Sequence, residues 1–248
     1  MSQIQTVGII MDGNRRWARE RNLPTLEGHR KGYDKLKEVL QWCIDEKIHN
    51  LVAFGFSTEN WNRSEEEVGY LMNLLRDGLS RDAGPIKEKG GRIKIVGQKE
   101  RFSPDIQKVF NDVEEQTKEG EYTLWLALSY GGRAEIVHAV NTMLAEKKNS
   151  VSEEDVQQYL WTAGMPDPDI IIRTSGEQRL SGFLPWQGVY SELFFIPTYW
   201  PAFSREDFAK ILEDFRGTGL SGYRTFRVPD FRGTGLSGDH IFAGGVSE

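Results

Sequence analysis

Six short apolar runs punctuate this chain, at Thr6–Met11, Asn50–Phe56, Arg92–Val96, Tyr122–Leu128, Ile170–Arg173 and Glu192–Phe195, and helix-periodic stretches separate nearly all of them. Strands that follow one another through helices are returned to the same starting edge, so the alternation predicts an α/β fold. The expected form is a single domain with a mostly parallel central sheet of about six strands flanked by helices. Leu36, Val39, Leu40, Cys43 and Ile44 recur at helical spacing, as do Val68, Leu71, Met72, Leu75 and Leu79, and both faces should pack on the sheet. Further helices are predicted over Asp105–Glu119, Arg133–Lys147, Ser152–Leu160 and Ser204–Phe215. Ser64 and Glu67 have capping-box spacing, and Pro104 after Ser103 marks another helix start.

At 248 residues the chain can bury a full core, and 31 Lys and Arg against 37 Asp and Glu leave a net charge of −6. No global basic field exists to hold nucleic acid, so any anion must be bound locally. The single cysteine, Cys43, excludes an intrachain disulfide and offers no metal-ligand spacing. No run approaches the roughly 20 apolar residues of a membrane span, and no export signal is read, so a cytoplasmic protein without a transmembrane segment is expected. Asp214–Gly222 is repeated without change at Asp230–Gly238, and eight of the 26 glycines follow Arg216. The expected division is a catalytic domain over 1–215 and a duplicated, Gly-rich, flexible tail over 216–248.

In a parallel sheet the carboxyl ends of the strands lie along one edge, where such folds hold ligands. Three polar motifs fall there: Asp12-Gly-Asn-Arg-Arg-Trp17, Ser57-Thr-Glu-Asn-Trp-Asn-Arg63 and Arg173-Thr-Ser-Gly-Glu-Gln-Arg179. The first joins an acid, a glycine and two arginines at a helix start, which presents a carboxylate and backbone N–H groups to a phosphate. Its plainer reading is a strand-to-helix turn capped by Asp12 or Asn14. Topology gathers Asp12, Arg16, Asn60, Arg63, Arg173 and Arg179 around one crevice, with His29 nearby. Planar guanidinium groups bind phosphate bidentately, and four of them suit two diphosphates better than one phosphate. Glu192, opening the last strand, is a candidate to complete a magnesium site with Asp12 and substrate oxygens. Plainer roles stand beside these: Arg63 pairing with Glu65, Glu66 or Glu67, His29 as a surface histidine, and the tryptophans as packing residues, the reading adopted for Trp186 and Trp200.

The runs Met11–Ala18, Gly28-His29, Phe56–Arg63, Ser129–Arg133, Arg173–Ser181 and Phe183–Glu192, in this order, resemble the cis-prenyltransferase family, over about Val7 to Phe215. The resemblance implies a transferase that condenses isopentenyl diphosphate onto an allylic diphosphate primer such as farnesyl diphosphate, with cis double bonds. The implied product is a long polyprenyl diphosphate, such as undecaprenyl diphosphate for a cell-wall lipid carrier. It implies Mg2+ as cofactor, a homodimer, and peripheral membrane contact for product release. By resemblance, Asp12 holds the metal on the allylic diphosphate, while Gly13, Asn14, Arg15, Arg16, His29 and Arg63 grip that group. Trp17, Ser57, Thr58, Glu59 and Trp61 complete the substrate-binding set. Arg173, Arg179 and Ser181 bind isopentenyl diphosphate. Asn60 acts catalytically beside Asp12, and Glu192 supports the metal or the partner subunit's site. Val52, Phe54, Leu124, Leu126 and Leu128, with the Val68–Leu79 helix, are candidates to line a tunnel for the growing chain.

Thr25 stands where the family often has arginine, Ser129 and Gly182 where asparagine is common, and Ala202 where aspartate often follows Trp-Pro. The rival from another class is a non-catalytic, cis-prenyltransferase-like subunit that stabilises an active partner, and such a subunit would not need Asp12. A nucleotide-binding protein is disfavoured because neither G-x-x-x-x-G-K-[ST] nor a strand-linked G-x-G-x-x-G is present.

Overall fold

The computed structural model describes residues 3–217. Six strands, β1 (Thr6–Ile10), β2 (Asn50–Ser57), β3 (Gly91–Val96), β4 (Tyr122–Tyr130), β5 (Ile170–Arg173) and β6 (Glu192–Phe195), form one sheet in the order β3-β4-β2-β1-β5-β6. Every pairing is parallel. Seven helices accompany them among the described residues: α1 (Asn14–Glu20), α2 (Thr25–Asp45), α3 (Glu65–Glu88), α4 (Pro104–Thr117), α5 (Gly132–Ala145), α6 (Glu153–Tyr159) and α7 (Arg205–Gly217). The last helix takes in Arg216 and Gly217, two residues of the expected tail, and the rest of that tail lies outside the described residues.

The strands are buried on both sides, and period-2 alternation divides their side chains between two cores. On one face Leu51, Ala53, Leu124, Leu126 and Leu128 pack with α2, α3, α4 and α7 through residues such as Leu36, Leu79, Phe110 and Ile211. On the other, Val52, Trp125 and Ala127 pack with Tyr130, Phe183 and Leu184, and Phe54 lies against them. This corrects the expected tunnel wall: Val52 and Phe54 face away from α3, whereas Leu124, Leu126 and Leu128 face towards it.

From β1 the chain adds β2, crosses to β3 at the edge and inserts β4 between β3 and β2, then returns past β1 to add β5 and β6. β1 therefore lies at the reversal of strand order, where the connections diverge and leave a crevice beyond the carboxyl ends. Asp12 follows β1, Arg173 ends β5, and Ser57 ends β2. Glu192 is at the other end: it opens β6 in register with Ile170, whereas Arg173, the neighbour of Ile10, pairs with Phe195. Within one chain Glu192 thus lies about three strand residues, roughly 10 Å, from the edge that carries Asp12, and does not complete a metal site with it. A residue that opens a parallel strand belongs to the amino edge.

Candidate active site

Asp12 is anchored first through its own backbone. Its carbonyl accepts from the Thr174 hydroxyl at 2.7 Å and from the Trp200 N–H at 3.0 Å, and its carboxylate Oδ1 accepts from the Gly13 N–H at 2.7 Å. Gly13 has φ +102°, and a Cβ there would lie 2.7 Å from the Tyr199 ring, so only glycine fits. Neither Asp12 nor Asn14 is the N-cap of α1: that residue is Gly13, which has no side chain to make the usual capping hydrogen bond. α1 is seated on α2 through Gly28, where a Cβ would stand 2.1 Å from the Asn14 carbonyl oxygen.

Around Asp12 the arginines interlock through three carboxylates. Arg173 Nη2 donates to Asp12 Oδ2 at 2.9 Å, and Arg16 Nη2 lies 3.4 Å from Oδ1. Burial opposes the charge on Asp12, but the Arg173 hydrogen bond and charge, with Arg16 and the Gly13 N–H, together hold its carboxyl below the usual aspartate value. Arg173, only 5% exposed, also donates to the Arg179 carbonyl and, at 2.9 Å, to Ser181 Oγ. Its Nε is buried without a partner. Arg16 further bonds Ser175 and lies 3.5 Å from Glu177 Oε1, while Arg179 donates to Glu177 Oε2 at 2.5 Å.

The third carboxylate is Glu67. It accepts from Arg63 at 2.8 Å, pairs with His29 Nε2 at 2.9 Å, and lies 4.0 Å from Arg15. The capping box is therefore half formed. Ser64 Oγ accepts from the Glu67 N–H, but the Glu67 side chain is drawn into the site. Burial raises the Glu67 carboxyl, yet His29, Arg63 and Arg15 outweigh it and leave it below the usual glutamate value. Burial depresses His29, with the charges of Arg63 and Arg15 acting in the same sense, against the opposing pull of Glu67.

Asp12, Gly13, Asn14, Arg15, Arg16, His29 and Arg63 line one cleft of about 370 Å³, joined by Met11 and Arg19. Met11, Asn14 and His29 also border a narrow apolar pocket of about 80 Å³ against Leu71, Leu74, Leu75, Leu126 and Leu128. The other sequence candidates have structural engagements. Asn60 Oδ1 accepts from the Ser57 N–H in the 3-10 turn Thr58–Asn62, and Thr58 bonds Glu59. Trp61 packs on Phe56 and Phe102 and donates to Ser129, and Trp17 lies under the Arg21 guanidinium. Trp200 is fully buried, a packing residue as read from the sequence. Glu177 is the site residue that sequence reasoning passed over, although it stands between two arginines already chosen; Glu67 entered only as a capping residue and as a partner for Arg63, and the second of these is the pairing found.

An α/β sheet with a cluster of arginines around one aspartate at its switch point defines a class of protein that handles phosphorylated ligands. A family model described as putative undecaprenyl diphosphate synthase matches residues 10–219, and the chain belongs to this prenyltransferase family. It is 45% identical over 216 residues to an isoprenyl transferase of Thermotoga maritima, covering 85% of this chain and 93% of the relative. It is 42% identical to a tritrans,polycis-undecaprenyl-diphosphate synthase (geranylgeranyl-diphosphate specific) of Thermococcus kodakarensis, covering 85% and 83%. Among solved structures, lavandulyl diphosphate synthase from Lavandula x intermedia in complex with dimethylallyl diphosphate superposes with a TM-score of 0.82 at 30% identity, covering 90% of this chain and 98% of that one. A probable undecaprenyl diphosphate synthase from Campylobacter jejuni gives 0.75 at 30% identity, covering 91% and 99%.

Proposed function

We propose that the protein condenses isopentenyl diphosphate units onto an allylic diphosphate primer, forming cis double bonds and a long polyprenyl diphosphate. One observation carries the reading: the arginine cleft lies beside an apolar pocket with which it shares Met11, Asn14 and His29, which matches a ligand with a polyanionic head and a hydrocarbon tail. A non-catalytic subunit has no use for the Asp12 carboxylate held between Arg16 and Arg173.

Arg16, His29, Arg63 and the N–H groups that open α1 receive the allylic diphosphate. Arg173, Arg179 and Ser181 receive isopentenyl diphosphate, and Asp12 lies between the two sets. Among the described residues no three His, Cys, Asp or Glu side chains converge as a metal cage, so Asp12 would hold a cation together with substrate oxygens. Mg2+ is bound well by one carboxylate and phosphate oxygens, and the donor set fits it. When bound, it neutralises charge on the departing diphosphate. The arginines do the same from fixed positions as the carbon–oxygen bond of the primer breaks, and the isopentenyl double bond forms the new carbon–carbon bond. A proton then leaves the isopentenyl carbon and restores a double bond.

The active form is proposed to be a cytoplasmic homodimer, with Glu192 serving the partner subunit's site and peripheral membrane contact aiding product release. Val137, Val140 and Leu144 leave an exposed apolar stripe on α5, which supports a partner surface. No helix among the described residues is long and apolar enough to cross a membrane. Incubation with farnesyl diphosphate, labelled isopentenyl diphosphate and Mg2+ tests the reaction. The expected products are longer than the primer by whole isoprene units, and recovery of both substrates unchanged would refute the proposal.

A further inference from the structure

Glu177 occupies an unusual position among the arginines, because its two oxygens serve different members of the cluster. Oε1 lies 3.5 Å from Arg16 Nη1 and Oε2 accepts from Arg179 Nη1 at 2.5 Å. Arg16 belongs to α1, after β1, and Arg179 to the loop after β5, so one carboxylate ties together the two edges of the crevice. Its placement is fixed by the backbone. Ser175 and Gly176 have φ near +80°, and their N–H groups donate to the Thr198 and Ile196 carbonyls at 2.8 Å, pinning the loop to the chain beyond β6. Arg16 bonds the Ser175 carbonyl and hydroxyl in the same loop. Arg179 has a side chain 61% exposed, so a diphosphate can reach it without rearrangement of the core.

We infer that Glu177 is a positioning residue that couples the two diphosphate subsites by standing in for phosphate on both Arg16 and Arg179 until a substrate displaces it. This rests on the two-subsite reading above. Without substrate, one carboxylate neutralises two guanidinium groups that would otherwise repel. A diphosphate arriving on either arginine takes its donors and repels Glu177 from the crevice, which also frees the other arginine. The first substrate bears the cost of displacement, and the second meets an arginine for which Glu177 no longer competes. Binding at the two subsites is then mutually favourable, and by linkage each ligand strengthens the other by the same factor.

The test is isothermal titration of an allylic thiolo-diphosphate, whose bridging sulfur resists ionisation, with and without saturating isopentenyl diphosphate, and the converse titration. In the wild-type protein each ligand should tighten the other about five- to tenfold. In Glu177→Gln, which keeps the shape and loses the charge, the factor should fall to within about twofold. Each ligand alone should bind at least as tightly as before, because a competing anion is gone. In Glu177→Asp, whose shorter side chain cannot span both arginines, the factor should lie between. Thermal melting of each variant checks that the fold is kept. A coupling factor unchanged in Glu177→Gln, or absent from the wild type, overturns the inference. So does weaker binding of each ligand alone in the folded Gln variant, since that would make Glu177 part of the grip instead of a competitor to it. Wild-type protein that binds neither diphosphate overturns the two-subsite reading itself, and the inference with it.

Discussion

Arg173 Nη2 donates to Asp12 Oδ2 at 2.9 Å, joining the last residue of β5 to the acid that follows β1 across 161 positions of sequence. The contact is a consequence of topology: β5 is the neighbour of β1, so the polar residues that end the two strands face each other across the switch point. It brings the allylic and isopentenyl halves of the proposed site to one carboxylate, and the partition can be tested residue by residue.

Arg179→Ala should raise the KM for isopentenyl diphosphate at least tenfold and the KM for the allylic primer less than threefold. Arg63→Ala should do the reverse, because each guanidinium is proposed to grip one diphosphate. Steady-state kinetics with each substrate varied in turn gives both values. Equal effects on the two substrates would dissolve the partition.

Glu67 supplies the site's clearest pH dependence. Its carboxyl lies below the usual glutamate value in the folded protein, so its contribution to stability is complete above about pH 4.5 and is lost as pH falls through the folded value. His29, depressed below 6.5, acts in the same direction: its contribution is present above that pH and lost below it, as the unfolded chain binds the proton first. Glu67→Gln should cost about 1.5–3 kcal/mol at pH 7 and remove the part of the acid loss that falls below about pH 4.5. Denaturant unfolding at pH 3, 4.5 and 7 measures both, and parallel stability losses below pH 4.5 for wild type and variant would contradict the assignment.

Gly28→Ala should lower stability by about 1–3 kcal/mol, since the added methyl meets the Asn14 carbonyl oxygen at 2.1 Å and must push α1 from α2. The displacement moves Arg15 and Arg16, so KM for the primer should rise in the same variant. A melting temperature within 1 °C of wild type, with unchanged kinetics, would show that the two helices separate freely.

The two faces of the sheet make opposite predictions for bulky substitutions. Leu126→Trp or Leu75→Trp narrows the apolar pocket beside the arginine cleft and should shorten the product. Val52→Phe lies in the opposite core and should lower the melting temperature without changing product length. Product sizing beside a melting curve distinguishes them, and a shortened product from a folded Val52→Phe variant would place the tunnel on the other face.

What could be read from the chain follows a physical division. The strand runs, the parallel sheet and the motifs Asp12–Trp17 and Arg173–Arg179 were legible because apolar periodicity and strand polarity are local signals. The face assignment of Val52 and Phe54 was not, because strands buried on both sides lose the polar alternation that tells inside from outside. Glu67 was legible as a local partner for Arg63, but the contact of its carboxylate with the buried His29 imidazole was not, because the two residues lie 38 positions apart in sequence. The family departures at Ser129 and Gly182 also acquire a reason. Their φ values are +47° and +79°, a left-handed backbone in which asparagine and glycine are the favoured residues. Gly182 preserves that conformation at no steric cost, and Ser129 adopts it while its hydroxyl accepts from Trp61 Nε1 at 2.9 Å.

Activation of the allylic diphosphate is proposed to occur at Asp12, and single-turnover kinetics of Asp12→Asn tests that directly. With primer bound and labelled isopentenyl diphosphate in excess, the rate of the first condensation should fall by a factor on the order of 10³ or more, about 4 kcal/mol of barrier. Primer affinity, measured separately by titration, should stay within about tenfold of the wild type, because Arg16, His29 and Arg63 remain. A first-condensation rate within tenfold of the wild type in the folded variant would contradict the account.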